Sequence, residues 1–357
     1  MKIDFFEAKS LKSKAALESG DLPFGRTFTD YMFEMDYVPD KGWHGAKITP
    51  YAPLSLDPAT TSLHYGQLFF EGMKAYRQKN GKVVLFRPLE NMLRINKSAW
   101  RMSMPEIDPE EVLGALIKLV SLEKDWVPTQ DEASLYIRPF MLGLDPFLGL
   151  RPSVSYKFVI IQGPVGPYYG KDGLAPVRIY VEDEFVRAVK GGTGYAKCAG
   201  NYAATMRSQL EASKKGYNQV LWLDGVHRKY VEEVGAMNVF FVIGDTVVTP
   251  ELSGSILPGI TRKSVIEILK DWGMKIEERL IEIGEIAKAY DEGKLKEAFG
   301  SGTAAVVSPI GELVYGEKSM KLDEKKPGEL TQKIYDELTG IQYGTKDDKR
   351  GWVTVVE

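Results

Sequence analysis

The sequence predicts a mixed α/β protein of the α+β class, built as two domains in which helices pack on largely antiparallel sheets. Three observations carry that prediction. The chain has 357 residues, 44% of them hydrophobic, which is too long for one ordinary domain and apolar enough for two cores. Asn-Gly, Asp-Gly and Gly-Asp dipeptides separate short apolar runs, the pattern of β-hairpins. Between these runs, longer segments repeat apolar residues at the spacing of a helix face.

In chain order, Asn80-Gly81 joins the strand pattern of residues 73–76 to that of residues 83–86. Helical periodicity follows at 89–102 and again at 110–122. Residues 156–162 read as a strand, and the turn formers Gly163, Pro164, Gly166, Pro167, Gly170 and Gly173 then cluster before β pattern resumes at 177–181. Such a cluster reads as an interdomain connection. It divides the chain into a small N-terminal domain at 1–168, a connection at 169–176 and a larger C-terminal domain at 177–357. Within the latter, residues 201–213, 261–271 and 330–338 carry helical periodicity. Asp224-Gly225 follows the apolar run 219–223, and Gly244-Asp245 separates 238–243 from 246–249, each reading as a hairpin turn.

Composition narrows the function. With 46 basic against 49 acidic residues and a net charge of -3, there is no electrostatic case for nucleic acid or a membrane surface, so a small-molecule partner is expected. No run of about 18 apolar residues is present to span a bilayer. The single cysteine cannot form an intrachain disulfide, and the charges among the first 14 residues sit where a signal peptide needs an apolar core. The cytoplasm is the expected compartment. Three histidines and one cysteine, none at metal-ligand spacing, argue against a metal centre. Cys198 reads as a small buried hydrophobe.

The chemistry concentrates at Gly191-Gly192-Thr193-Gly194-Tyr195-Ala196-Lys197-Cys198-Ala199-Gly200-Asn201-Tyr202. Glycines let backbone approach a flat ligand and adopt unusual φ, and a lysine amine in that setting can bond an aldehyde cofactor as a Schiff base. The dinucleotide and Walker fingerprints both fail here on spacing. An aldehyde cofactor such as pyridoxal phosphate also needs an acid for its ring nitrogen, a partner for its phenolate oxygen and donors for its phosphate. Glu232-Glu233 precedes a glycine and an apolar strand, and strand alternation aims the two carboxylates to opposite sides. Leu257-Pro258-Gly259-Ile260-Thr261 opens a periodic helix whose N-H groups and dipole suit an anion. Gly300-Ser301-Gly302-Thr303-Ala304-Ala305 is a second small-residue turn able to offer N-H groups.

Taken in order, Lys-x-x-x-Asn-Tyr, Glu-Val-Gly-x-Met-Asn, Leu-Pro-Gly-Ile-Thr-Arg and Ser-Gly-Thr-Ala resemble the class IV aminotransferases of fold type IV, and most closely the branched-chain amino acid aminotransferases. The resemblance runs from Phe24-Gly25-Arg26 and Leu63-His64-Tyr65-Gly66 through Phe70-Glu71-Gly72-Met73-Lys74 to Ile341-Gln342-Tyr343-Gly344. It implies a two-domain enzyme with pyridoxal 5'-phosphate at the domain interface, acting as a homodimer. The implied reaction exchanges the amino group of L-leucine, L-isoleucine or L-valine with 2-oxoglutarate by a ping-pong mechanism.

By the same resemblance, Lys197 is the Schiff-base lysine and proton carrier, working as a neutral amine beside positive neighbours. Tyr202 bonds the phenolate oxygen and Glu233 pairs with the pyridinium nitrogen. Leu257 packs on the ring; Arg94, Gly259, Ile260, Thr261 and Thr303 hold the phosphate. Phe24, Tyr65, Tyr136, Tyr168 and Tyr202 line an aromatic substrate pocket. The Thr303-Ala304 turn offers N-H groups to the α-carboxylate. Arg138, two residues beyond Tyr136 and so on the same strand face, meets the second carboxylate of glutamate. Ala305 and Ser308 stand where some animal members carry a Cys-x-x-Cys redox pair. D-amino acid aminotransferases and aminodeoxychorismate lyases share the lysine and glutamate, but the Phe24-Gly25, Phe-Glu-Gly-Met-Lys-Ala and Tyr-Ile-Arg-Pro segments favour the branched-chain group. A non-catalytic protein that only bound the cofactor would have no use for paired substrate-carboxylate groups.

Overall fold

The structure, a computed structural model, describes residues 1–168 and 173–356. Within the connection expected at 169–176, residues 169–172 lie outside the described residues, as does residue 357. The chain forms two compact units. The first comprises residues 1–167, 196–199 and 340–357, and the second residues 168–195 and 200–339.

A nine-stranded sheet forms the first unit. Its long central strands Tyr31–Val38, Tyr156–Val165 and Ser134–Gly143 pair antiparallel, and the Asn80-Gly81 turn closes the expected hairpin between Met73–Arg77 and Val83–Phe86. Helices Pro88–Arg101 and Pro109–Leu122 cover one face. Each begins with proline at its first position, where a missing N-H costs nothing. Asp108 caps the second by accepting from the N-H groups of Glu110 and Glu111 at 3.0 Å. Met92, Ile95 and Ala99 from one helix and Leu116, Leu119 and Val120 from the other meet Phe33, Ile48, Leu85 and Phe158 of the sheet in one core. At the far edge, Val353–Val356 pairs antiparallel with Val83–Phe86. The end of the chain therefore belongs with the first unit, where the sequence reading continued the second domain to residue 357. Periodicity identifies a terminal strand but not the sheet edge that will accept it.

The second unit is also built on a nine-stranded sheet, and part of it closes. Val231–Val234 pairs with both Gln219–Leu223 and Met237–Ile243. The path from Gln219–Leu223 through Val177–Glu182, Val306–Tyr315 and Leu295–Gly302 returns to Met237–Ile243, so six strands form a ring. Closure removes exposed strand edges. Val181, Leu223, Val234, Val239, Phe241, Ile310 and Leu313 form its core with Ile283 and Ile286 of the helix Ile283–Asp291. The Gly244-Asp245 hairpin joins Met237–Ile243 to Thr246–Pro250 as expected. The helix expected at 201–213 is interrupted, forming Ala199–Ala203 and Met206–Lys214. Both the N-H and the hydroxyl of Thr205 engage the Tyr202 carbonyl, at 3.1 and 2.7 Å. That three-residue closure displaces the four-residue ladder of an α-helix.

One buried acid makes the first unit sensitive to pH. Glu123 is 3% exposed and accepts the Tyr31 N-H at 2.5 Å, close to Asp30, which itself accepts from Trp126 Nε1 at 2.7 Å. Burial, reinforced by the Asp30 charge and opposed by the Tyr31 hydrogen bond, lifts the Glu123 carboxyl to about 7. A carboxyl raised in the folded state contributes full stability below its unfolded value and loses it as pH rises through the folded value. Glu123→Gln should therefore gain on the native protein as pH rises from 5 to 8, by on the order of 1–3 kcal/mol. Melting temperatures of the two proteins across that range test this; parallel curves would refute it.

Candidate active site

Lys197 is held by its backbone. Residues 196–199 belong to the first unit, although the glycine-rich segment before them belongs to the second. The Lys197 carbonyl accepts the Phe70 N-H at 3.0 Å, and Phe69 and Cys198 form an antiparallel bridge, so the lysine segment extends the sheet beside Leu68–Phe70. From the other side, the Lys197 N-H donates to Ser98 Oγ at 3.1 Å, and Ser98 sits 1% exposed on the Pro88–Arg101 helix. Cys198 is buried in the core of this unit, which matches its reading as a small hydrophobe. The tethers leave the side chain to one side, where Nζ lies 5.3 Å from the centre of the Phe70 ring.

Phe70 also anchors the residues expected to meet substrate. Along Ser134–Gly143 alternate side chains share a face, and Arg138 Nη2 donates to Tyr136 Oη at 2.9 Å. The Arg138 guanidinium lies 4.4 Å over the Phe70 ring, and Phe24 meets Tyr136 edge-on at 4.8 Å. Arg138 Nε is buried without a hydrogen-bond partner among the described residues. Phe24 and Tyr168 are about half exposed. The Tyr65 hydroxyl donates to the Leu148 carbonyl, which places it with the 144–152 loop.

Arg94 is engaged by a carboxylate. Its Nε and Nη2 donate to the two oxygens of Glu71 at 2.6 and 2.9 Å, and both side chains are buried. Asn91 Nδ2 adds a bond to Glu71 at 2.9 Å. Burial alone pushes the Glu71 carboxyl up, but Arg94, Lys197 and Asn91 outweigh it and hold the group below the usual carboxylate range. Lys197 is thus one of the cations that keep the Glu71 carboxylate ionised.

In the second unit the acidic pair is buried on both sides, with Glu232 5% and Glu233 3% exposed. A solvated surface pair is excluded. Glu233 accepts the Leu257 N-H at 2.7 Å and pairs with Arg187 Nε at 3.3 Å. Glu232 instead accepts from Ser255 Oγ, and burial, with Ser255 and Arg187 opposing, lifts it to about 7. Asn238 Nδ2 donates to the Leu257 carbonyl at 2.9 Å, fixing the turn that leads into the Ile260–Asp271 helix. Gly259 is the N-cap of that helix and offers no capping side chain, so the first N-H groups, those of Ile260 and Thr261, lack an intrahelical partner. A Cβ at Gly259 would stand 2.1 Å from Asn238 Oδ1; only glycine lets the turn pass. Ser301 lies opposite Asn238 in the sheet, and its buried hydroxyl has no partner among the described residues. The half-buried Thr303 and Ala304 turn leaves from that strand end.

Two glycine-loop features find their local reason here as well. A Cβ on Gly194 would meet the Ser255 carbonyl oxygen at 2.0 Å, so this glycine permits backbone to pass backbone. Asn201, the amide four residues beyond Lys197, braces the loop: its Nδ2 donates to the Thr193 carbonyl at 2.8 Å and its Oδ1 accepts from Thr193 Oγ1 at 2.7 Å. Tyr202 follows it, half-buried. Sequence reasoning missed Phe70, Glu71, Ser98, Arg187 and Asn238 as working residues. Phe70, Glu71 and Asn238 stand inside the motifs that carry the resemblance, which was their signal; Ser98 and Arg187 look like ordinary helix or loop positions.

Residues 68–313 match the family model for amino-transferase class IV. A probable branched-chain-amino-acid aminotransferase of Staphylococcus epidermidis is 55% identical over 351 residues, covering 98% of this chain and 97% of that protein. Branched-chain-amino-acid aminotransferase 2 of Bacillus subtilis is 54% identical over 339 residues, 95% of this chain and 93% of that one. Among solved structures, the branched-chain amino acid aminotransferase of Escherichia coli superposes with a TM-score of 0.76 at 27% identity, over 92% of this chain and 99% of that one. With the fold, the lysine tether and the paired carboxylate sites in place, the chain belongs to the class IV aminotransferases, in the branched-chain-amino-acid aminotransferase group.

Proposed function

We propose that this enzyme transfers the amino group of L-leucine, L-isoleucine or L-valine to 2-oxoglutarate, with pyridoxal 5'-phosphate as cofactor and Lys197 as the working amine. The observation that carries the reading is the Phe70 cluster, in which a tethered lysine amine and an Arg138–Tyr136 pair flank one aromatic ring. The donor set fits the cofactor by its chemistry: a buried acid held by an arginine, an uncapped helix N-terminus and an unpartnered serine hydroxyl beside the second turn. When bound, pyridoxal phosphate supplies an aldehyde for the amino group and a ring that accepts negative charge from the substrate Cα.

The protein's own groups then divide the work. Lys197 Nζ would accept the proton from the substrate Cα and give that proton up again within the same half-reaction, acting as general base and then general acid from a fixed backbone. Glu233, oriented by Arg187 and the Leu257 N-H, would pair with the protonated ring nitrogen; Tyr202 would donate to the phenolate oxygen, and Leu257 would pack on the ring. The N-H groups of Ile260 and Thr261 at the Gly259 cap, the hydroxyls of Thr261 and Thr303, and Arg94 hold the phosphate. Phe24, Tyr65, Tyr136, Tyr168 and Tyr202 give apolar walls to a branched side chain. Thr303 and Ala304 offer N-H groups to the α-carboxylate.

Arg138 is the proposed reader of the second carboxylate of glutamate and 2-oxoglutarate, paired with Tyr136 on one strand face. We also assign a homodimer working in the cytoplasm. The exposed apolar side chains of Leu63, Phe147, Leu148, Leu150 and Val154 support the dimer.

Purified protein given a panel of L- and D-amino acids with 2-oxoglutarate should form glutamate from L-leucine, L-isoleucine and L-valine. Preference for D-alanine, or no transfer to any acceptor, would overturn the assignment. Arg138→Leu should lower kcat/KM for glutamate at least about tenfold more than for leucine, because a buried carboxylate without its partner is costly. Equal losses for the two substrates would remove Arg138 from that role.

A further inference from the structure

We propose that Glu71 is a positioning residue for the cofactor's phosphate: it fixes the Arg94 guanidinium, and that fixed orientation gives Arg94 its grip on the anion. The inference rests on the assignment of Arg94 to the phosphate made above.

Glu71 is fully buried, and a buried carboxylate is costly unless its partners satisfy it. Those partners converge. Arg94 forks onto both oxygens at 2.6 and 2.9 Å, Asn91 Nδ2 donates at 2.9 Å and the Gly72 N-H donates at 3.1 Å. The backbone of the acid is locked in turn, since the Glu71 N-H donates to the Pro139 carbonyl at 2.7 Å. Asn91, Arg94 and Ser98 stand three and four residues apart on one helix, so they share a face. All three are buried, at 2, 6 and 1% exposed. One polar stripe therefore serves both Glu71 and the Lys197 tether.

The pair is formally neutral, so its pull on a phosphate cannot come from net charge. It comes from direction. A guanidinium is a planar fork of five N-H donors; when a carboxylate takes the Nε and Nη2 edge, the plane is set and the opposite edge points away from that carboxylate. Without Glu71 the plane of the guanidinium is no longer set, and a phosphate must supply the ordering itself. Loss of the Glu71 charge also bears on Lys197, which would bond ligands with and without phosphate alike, so the part of the effect that belongs to Arg94 is read in the ratio of the two affinities.

The test compares pyridoxal 5'-phosphate with pyridoxal, which lacks the phosphate, in titrations of the full-length protein freed of cofactor and followed by absorbance. Glu71→Gln should weaken pyridoxal phosphate by about tenfold more than it weakens pyridoxal. Glu71→Asp keeps the charge but shortens the reach, and should show the same phosphate-selective loss at smaller size even if the Gln variant folds poorly. In an Arg94→Gln background, adding Glu71→Gln should not change the ratio further. Equal weakening of both ligands would mean a purely structural role and overturn the proposal. Tighter binding of pyridoxal phosphate would make Glu71 a competitor for Arg94 and would overturn it too. If Arg94→Gln lowers the ratio and neither Glu71 variant does, only the Glu71 proposal fails. An Arg94→Gln protein with an unchanged ratio would instead overturn the phosphate assignment itself.

Discussion

Lys197 is held in a backbone that is tied on two sides. Its carbonyl completes a hydrogen bond to Phe70 in the sheet, and its N-H ends on a serine of the covering helix. A long flexible side chain is poor at precise proton transfer unless its root is fixed, because each rotatable bond multiplies the positions of the amine. The Pro88–Arg101 helix lies where Ser98 meets the lysine, and the strand Leu68–Phe70 ends where the Phe70 N-H reaches the Lys197 carbonyl. Even Cys198 contributes, by sinking the next residue into the core.

Charge in both units is handled by local pairing. Glu71 and Arg94 neutralise each other deep in the first unit, while Glu233 and Arg187 do so in the second. Such pairs contribute little to net stability, since desolvation offsets attraction, and their use lies in orientation. The neighbouring acids Glu232 and Glu233 show how finely environment divides like groups. Adjacent in a strand, they face opposite ways; one is met by an arginine and a backbone N-H, and the other by a serine hydroxyl, which leaves it raised to about 7. Gly194 and Gly259 serve the same framework by allowing backbone or amide groups to pass where any side chain would collide.

Much of this was legible in the sequence because it rests on local pattern. Asn80-Gly81 and Gly244-Asp245 close hairpins whose strands alternate as their residues require. The two helices of the first unit begin at prolines beside the first apolar-periodic positions. Tyr136 and Arg138 share a face because strand alternation leaves no other choice. What was not legible depends on partners distant in the chain. The terminal strand Val353–Val356 could have joined either sheet, and the six-strand ring closes only because Val231–Val234 finds a second neighbour. Ser98 and Arg187 carry no local mark, since each gains its task from an N-H or carboxylate many residues away. The break at Thr205 was hidden for a different reason: a hydroxyl that competes for a backbone carbonyl leaves the apolar period unchanged.

Everything proposed for the chemistry depends on the amine of Lys197, rather than that of another lysine, being where the cofactor is covalently fixed. Borohydride treatment of the pyridoxal-phosphate-loaded protein, followed by digestion and peptide mass spectrometry, reads that position directly. The added cofactor mass should appear on the peptide carrying Lys197 and on no other. Its appearance on a different lysine, with the Lys197 peptide unmodified, would contradict the assignment.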